Sequence, residues 1–215
     1  MNNQKQMDKI SKFLSFVLRH EPEAVGITLD KEGWTDINIL MHAAAVTDHI
    51  KIVFDRELLG LVVENNAKKR FEISEDGLRI RAVQGHSTEH VQRDMVPHVP
   101  APLLYHGTAA SSIASIMNEG LKPGERHHVH LSASVETAIT VGQRHGKPVV
   151  LEVNAGQMYH DGFKFYQAEN GVWLTDHVPV KYLHVALGRK TEIETNYFNQ
   201  IYKVPAQVQE KKDAE

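Results

Sequence analysis

Four short stretches carry side chains suited to handling a phosphate or a sugar: "LRHEP" at 18–22, "KKR" at 68–70, "YHGT" at 105–108 and "RHHVHLS" at 126–132. Guanidinium forks bind phosphate oxygens bidentately and imidazole changes charge near neutral pH, so arginine beside histidine can grip an anion and move a proton. Arg19 and His20 stand together just before Pro22. Taken alone, the pair is also explained as cations at a helix C-terminus, where they complement the macrodipole and the free carbonyls. Between Lys68 and Arg81 five basic residues (Lys68, Lys69, Arg70, Arg79, Arg81) face three acidic ones (Glu72, Glu75, Asp76), enough either to solvate a hairpin, with Glu72 as a same-face partner for Arg70, or to meet a phosphate backbone. On a strand, "RHHVHLS" puts Arg126, His128 and His130 on one face, a polar pocket wall, with Val129 and Leu131 on the other. His-x-His can also be a metal pair, but no cysteine and no HExxH pattern supplies a third ligand, and no metal site is expected. In "YHGT", His106 closes an apolar strand, Gly107 lets a ligand approach the backbone and Thr108 opens the next loop.

These residues need elements to position them. Ile10, Phe13, Leu14, Val17 and Leu18 repeat with helical period, and Pro22 stops that helix close to Arg19 and His20. A second helix is expected after Thr35 or Asp36, and "HIKIVFDRELLGL" reads as a third, closed by Gly60. "LVVEN", "KRFEIS" and "LRIRAV" read as short strands around a hairpin. Residues 88–102, with Pro97, Pro100 and Pro102, read as a connection. Beyond it "PLLYHGT", "HVHLS", "PVVLEVN" and "GVWLT" read as strands, and two helices open at Ser111 and Ser134. The resulting expectation is an α+β chain with lobes at 1–87 and 103–202, a linker at 88–102 and a frayed tail at 203–215.

The chain has 215 residues, a net charge of −3 and no cysteine, so disulfides are excluded and any nucleic-acid binding must come from a local basic cluster. No apolar run is long enough to span a bilayer, and the first residues lack the layout of a secretion signal. A cytoplasmic protein with no membrane partner is expected.

In order, "LSFVLRHEPEAVGITLDKEGW" (14–34), "KKRFEIS" (68–74), "IRAVQGHS" (80–87), "YHGT", "RHHVHLS" and "ENGVWLT" (169–175) resemble the NAD-dependent RNA 2′-phosphotransferase family. The resemblance implies an N-terminal winged-helix-like lobe and a C-terminal ADP-ribosyltransferase-like split β-sheet lobe, with the reaction in the cleft between them. It implies Arg19, His20, Arg70 and Arg126 as the catalytic set, and NAD as co-substrate held by His106, Gly107, Thr108, His128, His130, Ser132 and Val172. Relatives of that fold place a glutamate where "NGVW" offers Val172, which suits an incoming phosphate dianion that a carboxylate would repel. Lys69, Arg81, Gln84, His86 and Ser87 are implied RNA contacts. The implied partner is 2′-phosphorylated, tRNA-like RNA of the kind left by tRNA splicing, handled by a monomer without metal. Two rival expectations are NAD-dependent ADP-ribosylation of phosphorylated nucleic-acid ends, and a nucleic-acid-binding regulator that only senses NAD.

Overall fold

Ile10, Leu14, Val17 and Leu18 are fully buried, and this stripe makes the first fifteen described residues a helix, α1 (Asn3–Val17). The computed structural model describes residues 3–47 and 51–186; the expected tail at 203–215 lies outside them. After α1 the chain makes a turn, then a 3₁₀ turn opened by Pro22 and closed by Gly26 at φ 70°. The short strand β1 (Thr35–Asp36) leads into α2 (Ile37–Val46), whose N-cap is Asp36 rather than Thr35; its carboxylate accepts from the Asn38 and Ile39 amides.

The third helix differs from expectation. α3 spans Arg56–Glu64, is capped by Asp55 and runs straight through Gly60. "LVVEN" is therefore the last turn of a helix and not a strand: Leu59 and Val62, three apart, are the buried positions, and Asn65 is the C-cap. A short run of β-branched residues carries no period of its own, so the Asp55 cap and tertiary burial decide. The hairpin follows with β2 (Phe71–Ile73) and β3 (Arg79–Ala82), and the antiparallel order β1-β3-β2 completes a three-stranded sheet. Helices and sheet bury one core, including Leu14, Leu40, Leu59, Phe71 and Ile80.

In the second half, β4 (Leu104–Ala109) precedes α4 (Ile113–Glu119), β5 (Val129–Leu131), α5 (Val135–Gly142), β6 (Pro148–Val153), α6 (Ala155–His160), β7 (Tyr166–Gln167), β8 (Trp173–Thr175) and β9 (Leu183–Val185). Two three-stranded sheets result, ordered β4-β6-β9 and β5-β8-β7. They are joined where Tyr105 and Ser132 exchange backbone hydrogen bonds of 2.9 and 2.7 Å. The architecture is α+β, built from small sheets with antiparallel pairing throughout the first sheet, between β4 and β6, and across β5, β8 and β7. Among the described residues no helix is long and apolar enough to cross a membrane.

Residues 88–102 are held on both sides: the Gln92 amide donates to the Lys31 carbonyl, Val91 is buried, and the His98 amide donates to the Phe165 carbonyl. Residues 3–184 form one compact unit.

Candidate functional site

The last turn of α1 delivers Arg19 and His20 to a fixed place because a second segment pins their backbone. The Arg19 carbonyl accepts from the amides of Ser87 (2.9 Å) and Thr88 (3.4 Å), so "QGHS" is stapled to the helix end. Gly85, at φ 90°, turns beneath the Arg19 side chain; a Cβ there would stand 3.8 Å from Cδ, Nε and Cζ of that arginine. Arg19 is only 8% exposed, yet its Nε and Nη2 have no hydrogen-bond partner. Burial and then the like charges of Arg70 and Arg126 push its pKa down to about 10. Two guanidiniums from distant parts of the chain thus act on the buried one, and among the described residues no carboxylate pairs with it. Such an arrangement is costly unless an anion completes it, and a guanidinium fork with unpaired nitrogens matches a phosphate group.

Arg70 follows Lys69, which holds the unusual φ of 41°, and its Nη1 donates to Asn66 Oδ1 at 3.3 Å. Its expected partner Glu72 lies directly across from Arg81 in the β2–β3 register and pairs with Arg81 instead. Arg126 is exposed and lies ahead of β5, which begins only at Val129, so of the face expected for 126–130 only His128 and His130 alternate with buried Val129 and Leu131, and the arginine lies in a turn.

His20 Nδ1 lies 2.9 Å from Ser87 Oγ. Burial, Arg19 and Arg126 lower its pKa, outweighing Glu125 and Glu21, so the ring is neutral at pH 7. With the Nδ1 hydrogen donated to Ser87, Nε2 carries the lone pair and can take a proton.

The remaining expected site residues fall in two groups. Gln84, His86, His128 and His130 line a small open hollow, together with Arg93 and His127. There Gln84 Oε1 and His130 Nε2 lie 2.6 Å apart and His130 Nδ1 lies 3.0 Å from the His128 carbonyl, so both ring nitrogens of that histidine face protein groups. His86 is buried, its Nε2 unpartnered and close against Gly33. His106 Nδ1 contacts the His130 carbonyl at 3.0 Å; Thr108 is buried on the same strand, and Ser132 pairs with that strand. Gly107 has a structural reason: a Cβ there would sit 1.7 Å from the Ala138 carbonyl oxygen, so it is α5 that closes against the backbone. Val172 is half-buried just before β8. Lys69 is exposed, whereas Arg81 stacks 4.4 Å from the Trp34 ring centroid and pairs with Glu32, Glu72 and Glu169, its side chain 11% exposed.

Sequence reasoning did not find the residues that tie the two halves of the site together. Glu169, from the β7–β8 turn, accepts from Arg81 (3.0 Å) and Arg93 (2.5 Å), and its neighbour Asn170 donates to the Lys68 carbonyl at 3.2 Å. The signal in the sequence is the "EN" that opens "ENGVWLT".

Burial, first of all, holds His86 and His130 neutral with pKa values of about 3, aided by nearby cations including Arg19. An unfolded histidine titrates near 6.5, so below that pH the unfolded chain takes up protons that the folded one refuses. Stability contributed by these rings is complete above about pH 6.5 and falls as pH drops toward 3, by roughly 1.4 kcal/mol per ring per pH unit. Thermal melts at pH 7.5 and 5.5 are expected to show a marked drop in Tm that His86→Asn reduces by about half; an unchanged slope in that variant contradicts the assignment.

Residues 5–177 match the family described as RNA 2′-phosphotransferase, Tpt1 / KptA family. This chain belongs to that family. A protein of Pseudomonas aeruginosa named probable RNA 2′-phosphotransferase is 56% identical over 184 residues, 86% of this chain and 100% of the relative. Proteins of the same name from Acaryochloris marina (54% over 177 residues, 82% of this chain and 96% of the relative) and Pectobacterium atrosepticum (53% over 179 residues, 83% and 98%) are similarly close. The Tpt1 / KptA match includes the α1 end, the hairpin, "YHGT", "RHHVHLS" and "ENGVWLT", so the convergence around Arg19 lies inside the span that defines the family.

Proposed function

We propose that this protein removes an internal 2′-phosphate from RNA by transferring it to NAD, with Arg19, His20, Arg70 and Arg126 as the catalytic set. The observation that carries the reading is the buried Arg19 guanidinium, its Nε and Nη2 unpartnered and under repulsion from two further arginines, an arrangement matched to a polyanion. The three helices and β1-β3-β2 sheet are read as a winged-helix-like RNA lobe, and the paired small sheets as an ADP-ribosyltransferase-like NAD lobe. His106, Thr108 and Ser132 fit such a role because β4 and β5 meet at Tyr105 and Ser132, which brings polar side chains together at one strand junction. Gly107, His128, His130 and Val172 complete the proposed NAD contacts, and Lys69, Arg81, Gln84, His86 and Ser87 the proposed RNA side.

A phosphomonoester is largely dianionic at neutral pH and needs aiming more than activation. In the first step a 2′-phosphate oxygen attacks the ribose carbon bearing nicotinamide; the C–N bond breaks and nicotinamide leaves neutral, giving RNA-2′-phospho-ADP-ribose. In the second step the 2″-hydroxyl attacks phosphorus and expels the RNA 2′-oxygen, giving ADP-ribose 1″,2″-cyclic phosphate. Neutral His20 accepts the hydroxyl proton and returns it to the departing oxygen, while the arginines balance charge on the phosphoryl oxygens.

The test is a 2′-phosphorylated oligonucleotide incubated with and without NAD. NAD-dependent appearance of 2′-hydroxyl RNA, cyclic phosphate and nicotinamide is expected; a stable ADP-ribosylated RNA without cyclic phosphate points to end modification instead, and no nicotinamide release sinks the enzyme reading. His20→Ala is expected to slow the second step about 100-fold or more and the first much less, so that RNA-2′-phospho-ADP-ribose accumulates in single turnover. Equal slowing of both steps rules out the proton relay.

A further inference from the structure

Beside Arg70, and outside the convergence on Arg19, a second hollow of about 210 Å³ opens between the first turns of α1 and the C-terminal end of α3. Its apolar lining comes from buried Val62, half-buried Met7 and exposed Ala67. Asp8, Asn65, Lys68 and Arg70 supply its polar lining. Arg70 therefore borders both spaces, acting on Arg19 on one side and lining the hollow on the other.

The chemistry of the lining selects what fits. Lys68 and Arg70 suit the sugar-phosphate backbone, while the flat aromatic base attached to it offers a face to Met7 and Ala67 and N–H groups to the exposed Asp8 carboxylate. Asp8 is only partly used within the protein, its Oδ1 accepting from Gln4 at 3.0 Å. Ordering also favours a ligand site: Asn66 accepts from the Lys68 amide (3.2 Å) and from Arg70 (3.3 Å) and donates to Ser11 Oγ (3.2 Å), so the wall shared with Arg70 is fixed in advance. Resting on the proposed function, we infer that this hollow receives the nucleobase of the nucleotide next to the 2′-phosphorylated one. The base anchors the RNA on one side of Arg70 while the phosphate enters on the other.

The experiment uses the full chain and a 2′-phosphorylated oligoribonucleotide carrying 4-thiouridine at each neighbouring position in turn, irradiated without NAD. Crosslinks at one neighbour are expected to map to residues 4–11 or 62–68, and Ala67→Trp, an exposed turn position whose larger side chain fills the hollow, should reduce them at least tenfold. In turnover assays Ala67→Trp should raise KM about tenfold for the intact oligonucleotide and leave it within twofold for one abasic at both neighbours. Asp8→Ala, on the exposed face of α1, should give the same pattern with smaller amplitude and serves if the tryptophan variant misfolds. Crosslinks mapping elsewhere, or equal KM changes on intact and abasic substrates, overturn the proposal. The two readings fail separately: mapped crosslinks without wild-type turnover sink the reaction and keep the hollow, and turnover without them does the reverse.

Discussion

Arg19→Met is expected to abolish turnover, by at least about 100-fold, while raising Tm by roughly 2–6 °C. The two effects have one cause. A guanidinium that is 8% exposed, with Nε and Nη2 unpartnered and Arg70 and Arg126 acting on it, destabilises the fold in the absence of an anion. Methionine keeps much of the apolar stem and leaves intact the Arg19 backbone contacts to Ser87 and Thr88, so packing survives and the repulsion disappears. The same cost is removed when a polyanion binds, so wild-type Tm should rise with 2′-phosphorylated RNA and the variant's should not. Differential scanning calorimetry alongside a nicotinamide-release assay checks both; a variant that melts several degrees lower, or that keeps a tenth of the activity, removes the argument for Arg19 as the anion's chief ligand.

Gly107→Ala is expected to lose the fold, at a cost of at least about 3 kcal/mol, read as a Tm lowered by about 6 °C or more or as insoluble protein. The added methyl would overlap the Ala138 carbonyl group, with Cα of that residue only 3.0 Å away. This is backbone of α5, which cannot yield without leaving β4. The measurement separates two explanations of the "HGT" glycine that are identical in sequence. Normal melting with selectively weakened NAD binding would falsify the packing account and return the glycine to ligand approach.

The parts of the fold legible in the sequence are those where period and punctuation agree. α1 combines a helical stripe with Pro22, and α5 combines Ser134, whose hydroxyl accepts from the Thr137 amide, with alternation in the strands around it. Where they disagree the reading slips, as at Gly60 and "LVVEN", because a glycine inside a helix and a pair of valines each suggest an ending that the Asp55 cap and burial of Leu59 and Val62 override. The strands β1, β7 and β9, two or three residues each, are set by pairing partners and leave no pattern. At the site, residue types announced an anion, but not the missing counterion. Arg19 is distinguished by what is not beside it, while Arg81, equally basic, is surrounded by Glu32, Glu72 and Glu169; only coordinates tell the two apart.

The Glu169–Asn170 turn reaches Arg81, Arg93 and the Lys68 carbonyl, and the His127 amide meets the His86 carbonyl at 3.3 Å. Alignment of the two halves is thus set by non-covalent grips, and between exposed Val96 and Val99 the connecting segment adds its own through the His98 amide and the Phe165 carbonyl. A nick beside Val96 would cut none of the Glu169–Asn170 contacts, so two fragments that meet there should still find each other.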